Sequence, residues 1–257
     1  MSLLDGVDVA CFDLFDTLIR IDTSQLPSIR WGGDEIRTTL PVVHERIFAE
    51  RNIPLDRLVN AVRSMWATMR LELNREDGDD DERWAEISAV EKYRRMLADL
   101  GVRDPDEVEA VATAVADTHH ATLVSAAHAV EGAAELLERV REQGVRTVLV
   151  SNWDHAPAGP AMLAQAGLTD LLDHVVISDA VGVRKPHPRI LETALAPFDA
   201  TPDRALHVGD LAVSDAWGAG RLGFKTVWIN AKAKPWSEDA HPPTLTVERL
   251  ADLLDHV

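Results

Sequence analysis

Four short segments carry side chains that could do chemistry together. They are residues 13–17, 151–152, 185–186 and 209–215. Each lies at or just after an apolar run of the kind that forms a buried strand. Because ligands in open α/β sheets bind beyond the carboxyl ends of the strands, we expect carboxylates, a hydroxyl and an ammonium group to meet at one sheet edge. That arrangement is typical of a catalytic site.

The first segment offers a candidate nucleophile, Asp13. A carboxylate at a strand end can attack an electrophilic phosphorus or carbon and form a covalent intermediate that water later cleaves. Thr17 could hydrogen-bond the chain and hold the loop of that carboxylate. Taken alone, an aspartate and a threonine at a strand end are as readily ordinary turn formers.

The second and third segments offer groups that bind an anion. Ser151 follows an apolar run, so its hydroxyl and backbone N–H would point beyond the sheet, although a serine there more often caps the next helix. Lys185 lies in a loop restricted by two prolines, and its ammonium group could neutralise nucleophile and substrate together. Without the other segments Lys185 would be read as a solvated lysine, and its neighbour Arg184 is predicted to be solvated.

The fourth segment offers metal ligands. Asp210 follows a strand-like run and Asp215 comes five residues later, beside the start of a helix. Together with Asp13 they would supply the hard oxygen ligands that Mg²⁺ requires, and leave positions for water and a phosphate oxygen. Without a metal, both aspartates would still stabilise a strand end and a first helical turn.

The pattern along the chain predicts an α/β fold in which a helical block interrupts the sheet. Strands alternating with helices favour right-handed crossovers and a Rossmann-like parallel sheet, whereas three- and four-residue apolar spacing between them predicts helices. We therefore expect a core of residues 1–20 and 130–257 with an all-helical cap of residues 21–129, in which the acidic stretch 76–83 is a solvated turn. The predicted strands are 7–12, 145–150, 174–178, 205–208 and 226–229, and helices are predicted at 133–143 and about 246–255.

The amino-acid composition limits the kinds of binding partner that we expect. The formal net charge of −17 over 257 residues repels nucleic acid and anionic membranes, so we expect a small-molecule substrate. The single cysteine, Cys11, excludes an intrachain disulfide and favours a reduced, cytoplasmic location. No signal peptide and no membrane span of about 18 uncharged apolar residues is evident. A monomer or a homodimer is expected.

The four segments together resemble the haloacid dehalogenase superfamily of hydrolases. The resemblance extends to Val-Gly-Val-Arg-Lys-Pro at 181–186 and Ala-Gly-Arg-Leu-Gly-Phe at 219–224, and it covers the whole predicted α/β core. It implies a Rossmann-like core, a mobile helical cap that sets specificity, and an aspartyl-enzyme intermediate. The implied site residues are the nucleophile Asp13 with Thr17, the substrate-binding Ser151, Asn152 and Lys185, and a Mg²⁺ site of Asp13, the Phe15 carbonyl, Asp210 and Asp215.

One position departs from the pattern of the family's phosphatases. They usually read Asp-x-Asp-Gly-Thr, and their second aspartate protonates the leaving oxygen, whereas this chain has Phe15 there and Asp16 at the glycine position. Loss of a general acid typically lowers a rate by about a hundred- to ten-thousandfold. Asp16 could supply the proton, but a turn-stabilising part is favoured because adjacent residues at a strand end project in different directions.

Three functions follow from this pattern. The main prediction is a Mg²⁺-dependent phosphatase-type hydrolase acting on a small phosphorylated metabolite. The first alternative is a metal-independent 2-haloacid dehalogenase, since such enzymes carry an aromatic tyrosine at the position of Phe15 and Ser-Asn at the position of Ser151-Asn152. The second is a weakly active or non-catalytic binding or regulatory domain. His119, His120 and Trp66 or Trp84 could face the cleft, although helix packing explains them as well.

Overall fold

The computed structural model of the protein describes residues 2–73, 79–238 and 240–257. The strands, in chain order, are β1 (Val9–Phe12), β2 (Ile19–Ile21), β3 (Ser28–Trp31), β4 (Asp34–Arg37), β5 (Ala127–Ala129), β6 (Arg146–Ser151), β7 (His174–Ile177), β8 (Ala205–Gly209), β9 (Lys225–Ile229) and β10 (Leu245–Val247). The α-helices are α1 (Leu40–Val43), α2 (Leu55–Leu73), α3 (Asp80–Arg83), α4 (Ala89–Leu100), α5 (Pro105–Ser125), α6 (Ala133–Glu142), α7 (Gly159–Gln165), α8 (Ser178–Val181), α9 (Pro188–Leu195) and α10 (Gly218–Gly220).

Six strands form one parallel sheet in the order β10-β9-β8-β1-β6-β7. The central strand β1 pairs with β6 and β8 along its whole length, so Phe12 lies level with Leu149 and Val208. Its four side chains are buried because apolar clusters cover both faces of the sheet. The predicted parallel sheet is confirmed. The carboxyl ends of β1, β6 and β8 therefore lie side by side, and each is followed by one of the predicted site segments.

A short antiparallel pair joins the two ends of the segment that interrupts the sheet. Strand β2 pairs with β5, so that Ile19 lies level with Ala129 and Ile21 with Ala127. We call residues 21–129 the inserted segment. Its helices enclose an apolar cluster of their own, which runs from Val43 to Ala116. The division into core and cap stays a prediction.

The expectation of a wholly helical inserted segment needs a correction at residues 28–37. Strands β3 and β4 form an antiparallel hairpin there. Gly32 and Gly33 connect them, and both have positive φ angles, of 59° and 96°. Two-residue hairpin turns with positive φ at both positions favour glycine, so the Gly-Gly pair was a sequence signal for this hairpin.

The helix expected at 246–255 is also wrong. Strand β10 extends the parallel sheet, with Leu245 level with Val227, and a short 3₁₀ helix, Leu250–Asp255, follows it. The open edge of β9 offers unpaired backbone groups, and their pairing outweighs the helical pattern of a short segment.

The acidic stretch 76–83 lies partly outside the described residues. Within them, Asp80–Arg83 forms helix α3, not a simple turn, and the Asp79 side chain caps it by accepting from the Glu82 N–H. Acidic side chains in a first helical turn stabilise the helix, which explains why a helix forms here in place of the expected turn. No helix in the described parts of the chain has the length and apolar character needed to cross a membrane.

Candidate active site

Lys185 and Asp13 form the centre of the site. The Lys185 Nζ donates to Asp13 Oδ1 at 2.7 Å and to the Val150 carbonyl at 2.7 Å, and it lies 2.8 Å from Asp215 Oδ1. The lysine is 1% exposed. Burial alone would lower its pKa, but the two carboxylates more than offset this and raise the pKa to about 12. The ammonium group is therefore a fixed positive charge.

Asp13 directly follows β1, and its backbone N–H donates to the Val208 carbonyl at 2.9 Å, which extends the pairing with β8. Burial raises the pKa of Asp13 to about 6, against the attraction of Lys185 and with a contribution from Asp215. The fold thus holds this carboxylate where its charge is costly. Such shifts are common at catalytic positions, because a poorly solvated carboxylate is a stronger nucleophile.

Asn152 fixes the position of Lys185. Its Nδ2 donates to the Lys185 carbonyl at 2.9 Å, and its Oδ1 accepts from the Lys185 N–H at 2.6 Å. The side-chain amide therefore joins the loop after β6 to the loop that carries the lysine. Asn152 also lines the cavity described below, but the two bonds assign it to positioning Lys185 more directly than to substrate binding.

Asp215 is saturated by protein donors. Its Oδ1 accepts from Lys185 and from His207 Nε2, the latter at 3.2 Å, and its Oδ2 accepts from the Leu211 N–H at 2.9 Å. Burial would raise the pKa of Asp215, but Lys185 and His207 hold it well below the usual range. A Cβ at Gly209 would lie 2.3 Å from the Asp215 carboxyl carbon, so this approach requires glycine.

The surroundings of Asp210 disfavour the ionised form of its carboxylate. Burial, followed by the negative charges of Asp13 and Asp215, raises the pKa of Asp210 to about 7. Its side chain has no hydrogen bond or ion pair within the described residues. Asp13, Asp210 and Asp215 each offer one oxygen, and these oxygens lie within 4.8 Å of one another. The donor set therefore fits a hard divalent cation, with Asp13 and Asp210 as the available ligands.

A cavity of about 190 Å³, the small cavity, opens on this group. Its lining residues are Asp13, Phe15, Asp16, Asn152, Lys185, Asp210, Leu211, Ser214 and Asp215. The predicted site segments at the ends of β1, β6 and β8, and the loop of Lys185, all contribute to this wall.

Thr17 and Ser151 are the chain neighbours of Asp16 and Asn152, which line the small cavity. Both side chains are fully buried, and neither hydroxyl oxygen has a hydrogen-bond partner in the described structure. The expected hydrogen bond from Thr17 to its own loop is absent because backbone bonds already hold that loop, including Asp16 N–H to the Ile19 carbonyl at 2.8 Å. Neither residue lines the small cavity, so the catalytic part expected of Thr17 and the substrate-binding part expected of Ser151 stay predictions.

Phe15 and Asp16 face different surroundings. The Phe15 ring contacts Trp153 edge to face, with 5.4 Å between ring centroids. Asp16 adopts a left-handed backbone conformation, with φ of 54°, and its Oδ1 accepts from Arg20 Nε at 3.1 Å. This ion pair agrees with the turn-stabilising part expected for Asp16. A metal bond from the Phe15 carbonyl stays a prediction.

The inserted segment is bound to the loop after β6 through Asp154, which sequence reasoning missed. Asp154 accepts from Lys92 of α4 at 2.7 Å and from His120 of α5 at 3.1 Å. Burial would raise its pKa, but His120 and Lys92 hold it well below the usual range. Trp153 lies between Phe15 and the His120 ring, at 5.4 Å from each. The one sequence signal for this contact was that Asp154 lies two residues after the predicted site residue Asn152.

The other candidate cap residues do not line the site. His119 is held by Thr39, with 2.7 Å between Nδ1 and Oγ1, and burial lowers its pKa to about 4. Trp66 lies under the Lys92 ammonium group and Trp84 under Arg184.

Arg184 is not the solvated residue that was expected. Its guanidinium donates to the Ala85 carbonyl at 2.9 Å, to the Arg83 carbonyl at 3.1 Å and to the Leu73 carbonyl. The backbone next to it pairs with the inserted segment through an antiparallel bridge between Val183 and Ala85. A planar fork of donors suits such a cluster of carbonyl groups, so Arg184 anchors the inserted segment beside Lys185.

The fold and the site define an α/β protein with a buried aspartate–lysine pair and a second carboxylate poised for a cation. A model of the haloacid dehalogenase-like hydrolase family matches residues 7–223. The chain belongs to that family, as the sequence motifs predicted.

Named relatives agree with this membership. A glyceraldehyde 3-phosphate phosphatase of Pyrococcus furiosus is 37% identical over 111 residues, which cover 43% of this chain and 46% of that protein. The pyrimidine 5'-nucleotidase YjjG of Escherichia coli is 36% identical over 48% of this chain and 53% of its own length. The chain thus aligns with about half the length of these relatives. A glyceraldehyde 3-phosphate phosphatase of Methanopyrus kandleri is 27% identical over 86% of this chain and 97% of its own length.

Solved structures share the fold. A 2-haloacid dehalogenase from Pseudomonas syringae superposes with a TM-score of 0.65 at 19% identity, and a phosphatase from Thermococcus onnurineus with a TM-score of 0.62 at 18% identity. Each comparison covers 97% of both chains. The same architecture therefore accompanies two different reactions in these structures, and the choice between them rests on the site.

Proposed function

We propose that the protein is a Mg²⁺-dependent phosphatase-type hydrolase that acts on a small phosphorylated metabolite through an aspartyl-enzyme intermediate. The observation that carries the proposal is the Asp210 carboxylate. It is half-buried beside Asp13, has no ion pair among the described residues, and its pKa is raised to about 7. Two neighbouring carboxylates supply the hard oxygen ligands that Mg²⁺ prefers.

Asp13 acts as the nucleophile in this proposal. One of its carboxylate oxygens attacks the phosphorus, the bond from phosphorus to the ester oxygen breaks, and the leaving oxygen takes up a proton from solvent water. Lys185 holds Asp13 in place by the 2.7 Å bond and its positive charge stabilises the charge on the transferred group. Water then cleaves the acyl phosphate and restores the Asp13 carboxylate.

Asp13 and Asp210 would hold Mg²⁺, with the Phe15 carbonyl as a further oxygen ligand. When bound, the cation offsets negative charge on the carboxylates and on the phosphate oxygens. Asp215 takes a different part, because its oxygens already accept from Lys185, His207 and the Leu211 N–H. Asp215 orients Lys185 and partly neutralises its positive charge, whereas Asp210 and Asp13 retain lone pairs that could bind the cation.

The hydrolysis of p-nitrophenyl phosphate tests this proposal. The purified protein should release p-nitrophenolate with Mg²⁺, and excess EDTA should abolish the activity. Restoring Mg²⁺ should restore the activity. Hydrolysis that EDTA leaves unchanged would contradict the metal requirement, and no hydrolysis of any phosphate ester would contradict the phosphatase assignment.

A second candidate, hydrolysis of a carbon–halogen bond by the same nucleophile, is favoured by Phe15. Its ring packs against Trp153 and supplies an aromatic wall with no proton donor, which suits a halide leaving group. Release of halide from a 2-haloacid in the presence of EDTA would support this function over the first. A protein that binds Mg²⁺ but turns over neither class of substrate would instead be a binding or regulatory domain.

A further inference from the structure

A second, larger cavity adjoins the small cavity. It has a volume of about 640 Å³, and we call it the large cavity. Asp16, Asp210 and Leu211 line both cavities, so these residues form the wall between them. Pockets for small molecules commonly measure about 300–1,000 Å³, which includes the large cavity but not the small one at about 190 Å³. The small cavity suits a compact group such as a phosphate, and the large cavity suits the remainder of a substrate.

All but two of the residues that line the large cavity, His128 and Ala129, lie outside the inserted segment. The loop after β9 forms one wall, and the chain around β5 and the start of the C-terminal 3₁₀ helix form the other. The indole N–H of Trp228 donates to the Asp210 carbonyl at 3.0 Å, which joins this wall to the candidate metal ligand. The Asn230 side chain bonds both backbone groups of Lys234, at 2.8 Å and 2.9 Å. These two hydrogen bonds close the loop between Asn230 and Lys234.

The cations of the large cavity divide into paired and unpaired groups. Arg20 pairs with Asp16 at 3.1 Å, and Arg249 pairs with Asp252 at 2.7 Å. The side chains of Lys232 and Lys234 have no hydrogen bond or ion pair among the residues that the structure covers. Two neighbouring, unpaired ammonium groups on a cavity wall favour an anionic ligand.

The acidic residues of the same wall are Asp16, Glu131, Asp210 and Glu248. Asp16 is bound to Arg20. The hydrogen bond to Asp252 is the main cause of the raised pKa of Arg249, and Glu131 and Glu248 add to it, so both glutamates lie near that guanidinium. Lys232 and Lys234 remain as the charges that a ligand can use.

We propose that the large cavity binds the leaving group of the substrate, and that Lys232 and Lys234 bind a second anionic group on it, a carboxylate or a phosphate. This inference rests on the proposed phosphatase-type function. It places the determinant of specificity in the core loops after β9, whereas the family resemblance implied the inserted segment.

Matched pairs of phosphate esters test the inference. One pair is glycerol 3-phosphate and 3-phosphoglycerate, which differ by a carboxylate, and the other is fructose 6-phosphate and fructose 1,6-bisphosphate, which differ by a phosphate. The Mg²⁺-loaded wild-type protein should prefer the doubly anionic member of at least one pair by kcat/KM. The pair that responds identifies the anion.

Substitution of both Lys232 and Lys234 tests whether these lysines cause the substrate preference. In a Lys232→Gln/Lys234→Gln variant, the KM of the preferred ester should rise roughly tenfold and the preference should vanish, as expected for a lost charged hydrogen bond. A Lys232→Arg/Lys234→Arg variant should keep the preference. Arg103→Gln removes one positive charge from an exposed position that lines neither cavity, and it should leave both pairs unchanged.

Two results would overturn the subsite. One is equal kcat/KM within both pairs, and the other is a preference that survives the double glutamine variant. Failure of the proposed function looks different, because the wild-type protein would then hydrolyse neither these esters nor p-nitrophenyl phosphate.

Discussion

The Asp13 carboxylate is buried, and burial makes its ionised form costly despite the bond to Lys185. Its pKa is raised to about 6 because burial outweighs the bond to Lys185. A carboxylate whose folded-state pKa lies above its ordinary value destabilises the folded protein when it ionises. In the proposed reaction this destabilised carboxylate is the nucleophile.

Asp13→Asn should eliminate turnover and keep the fold. The amide cannot attack phosphorus, and the loss of a poorly solvated charge costs little stability. Steady-state assays with p-nitrophenyl phosphate measure turnover, and thermal denaturation should give a midpoint equal to or above that of the wild-type protein. Activity comparable to wild type would refute the nucleophile assignment.

In the proposed reaction, neither Phe15 nor Asp16 is suited to give the leaving group its proton. Phe15 has no proton to give, and Asp16 is held by Arg20 at 3.1 Å with 63% of its side chain exposed. One Asp16 oxygen already accepts from Arg20, which ties the side chain to its own turn.

The rate should therefore depend steeply on the acidity of the leaving alcohol, because a phenolate leaves without a proton and an alkoxide does not. Plots of log kcat/KM against leaving-group pKa for aryl and alkyl phosphates measure this dependence, and Asp16→Asn should leave the slope unchanged. A shallow slope in the wild-type protein that Asp16→Asn makes steep would show instead that Asp16 supplies the proton.

At the scale of elements, the sequence predicted the strands that carry the site because each buried parallel strand is a compact apolar run. The predicted strand at 145–150 differs by one residue at each end from Arg146–Ser151. The β3–β4 hairpin was missed because most of its residues are exposed and its strands carry charges instead of an apolar stripe. Strand β10 was missed because three residues give no periodicity, and its pairing depends on the distant strand β9.

Contacts between elements were the least predictable part of the site. Lys92 and His120 lie on different helices, 62 and 34 residues from Asp154. The spacing of residues within those helices does not predict a contact with Asp154. The same holds for Arg184, whose acceptors are backbone carbonyls that carry no sequence signature. These residues fix the inserted segment over the loops of Asn152 and Lys185.

Lys92→Met should destabilise the protein by about 3 kcal/mol, because it leaves the largely buried Asp154 carboxylate without its cation. Urea denaturation measures the change in the free energy of unfolding. The control is Arg139→Gln, which breaks the exposed pair with Glu135 at 2.9 Å and should cost less than about 1 kcal/mol. Equal effects of the two substitutions would mean that the Lys92–Asp154 pair does not anchor the inserted segment.

At the scale of the whole molecule, a chain with a net charge of −17 concentrates three carboxylates around one buried lysine. The raised pKa values of Asp13 and Asp210, about 6 and about 7, mean that the metal-free folded state binds protons more tightly than the unfolded chain. The stability that these two groups contribute is fully present below their unfolded pKa and is lost as the pH rises through the folded values. A bound cation would offset that loss, because it favours the ionised carboxylates.

Mg²⁺ should therefore raise the midpoint of thermal unfolding more at about pH 8 than at about pH 5, since the ligands must be deprotonated to bind the metal. The measurement is a thermal melt of EDTA-treated protein with and without Mg²⁺ at both pH values, together with a calorimetric titration of Mg²⁺ at the higher pH. Asp210→Asn should remove most of the Mg²⁺-induced shift, because the hard cation loses a charged oxygen ligand. Asp34→Asn, in the exposed β3–β4 hairpin, makes the same chemical change away from the site and should keep the wild-type shift. A shift of equal size at both pH values, or one that Asp210→Asn leaves intact, would place the metal elsewhere or nowhere.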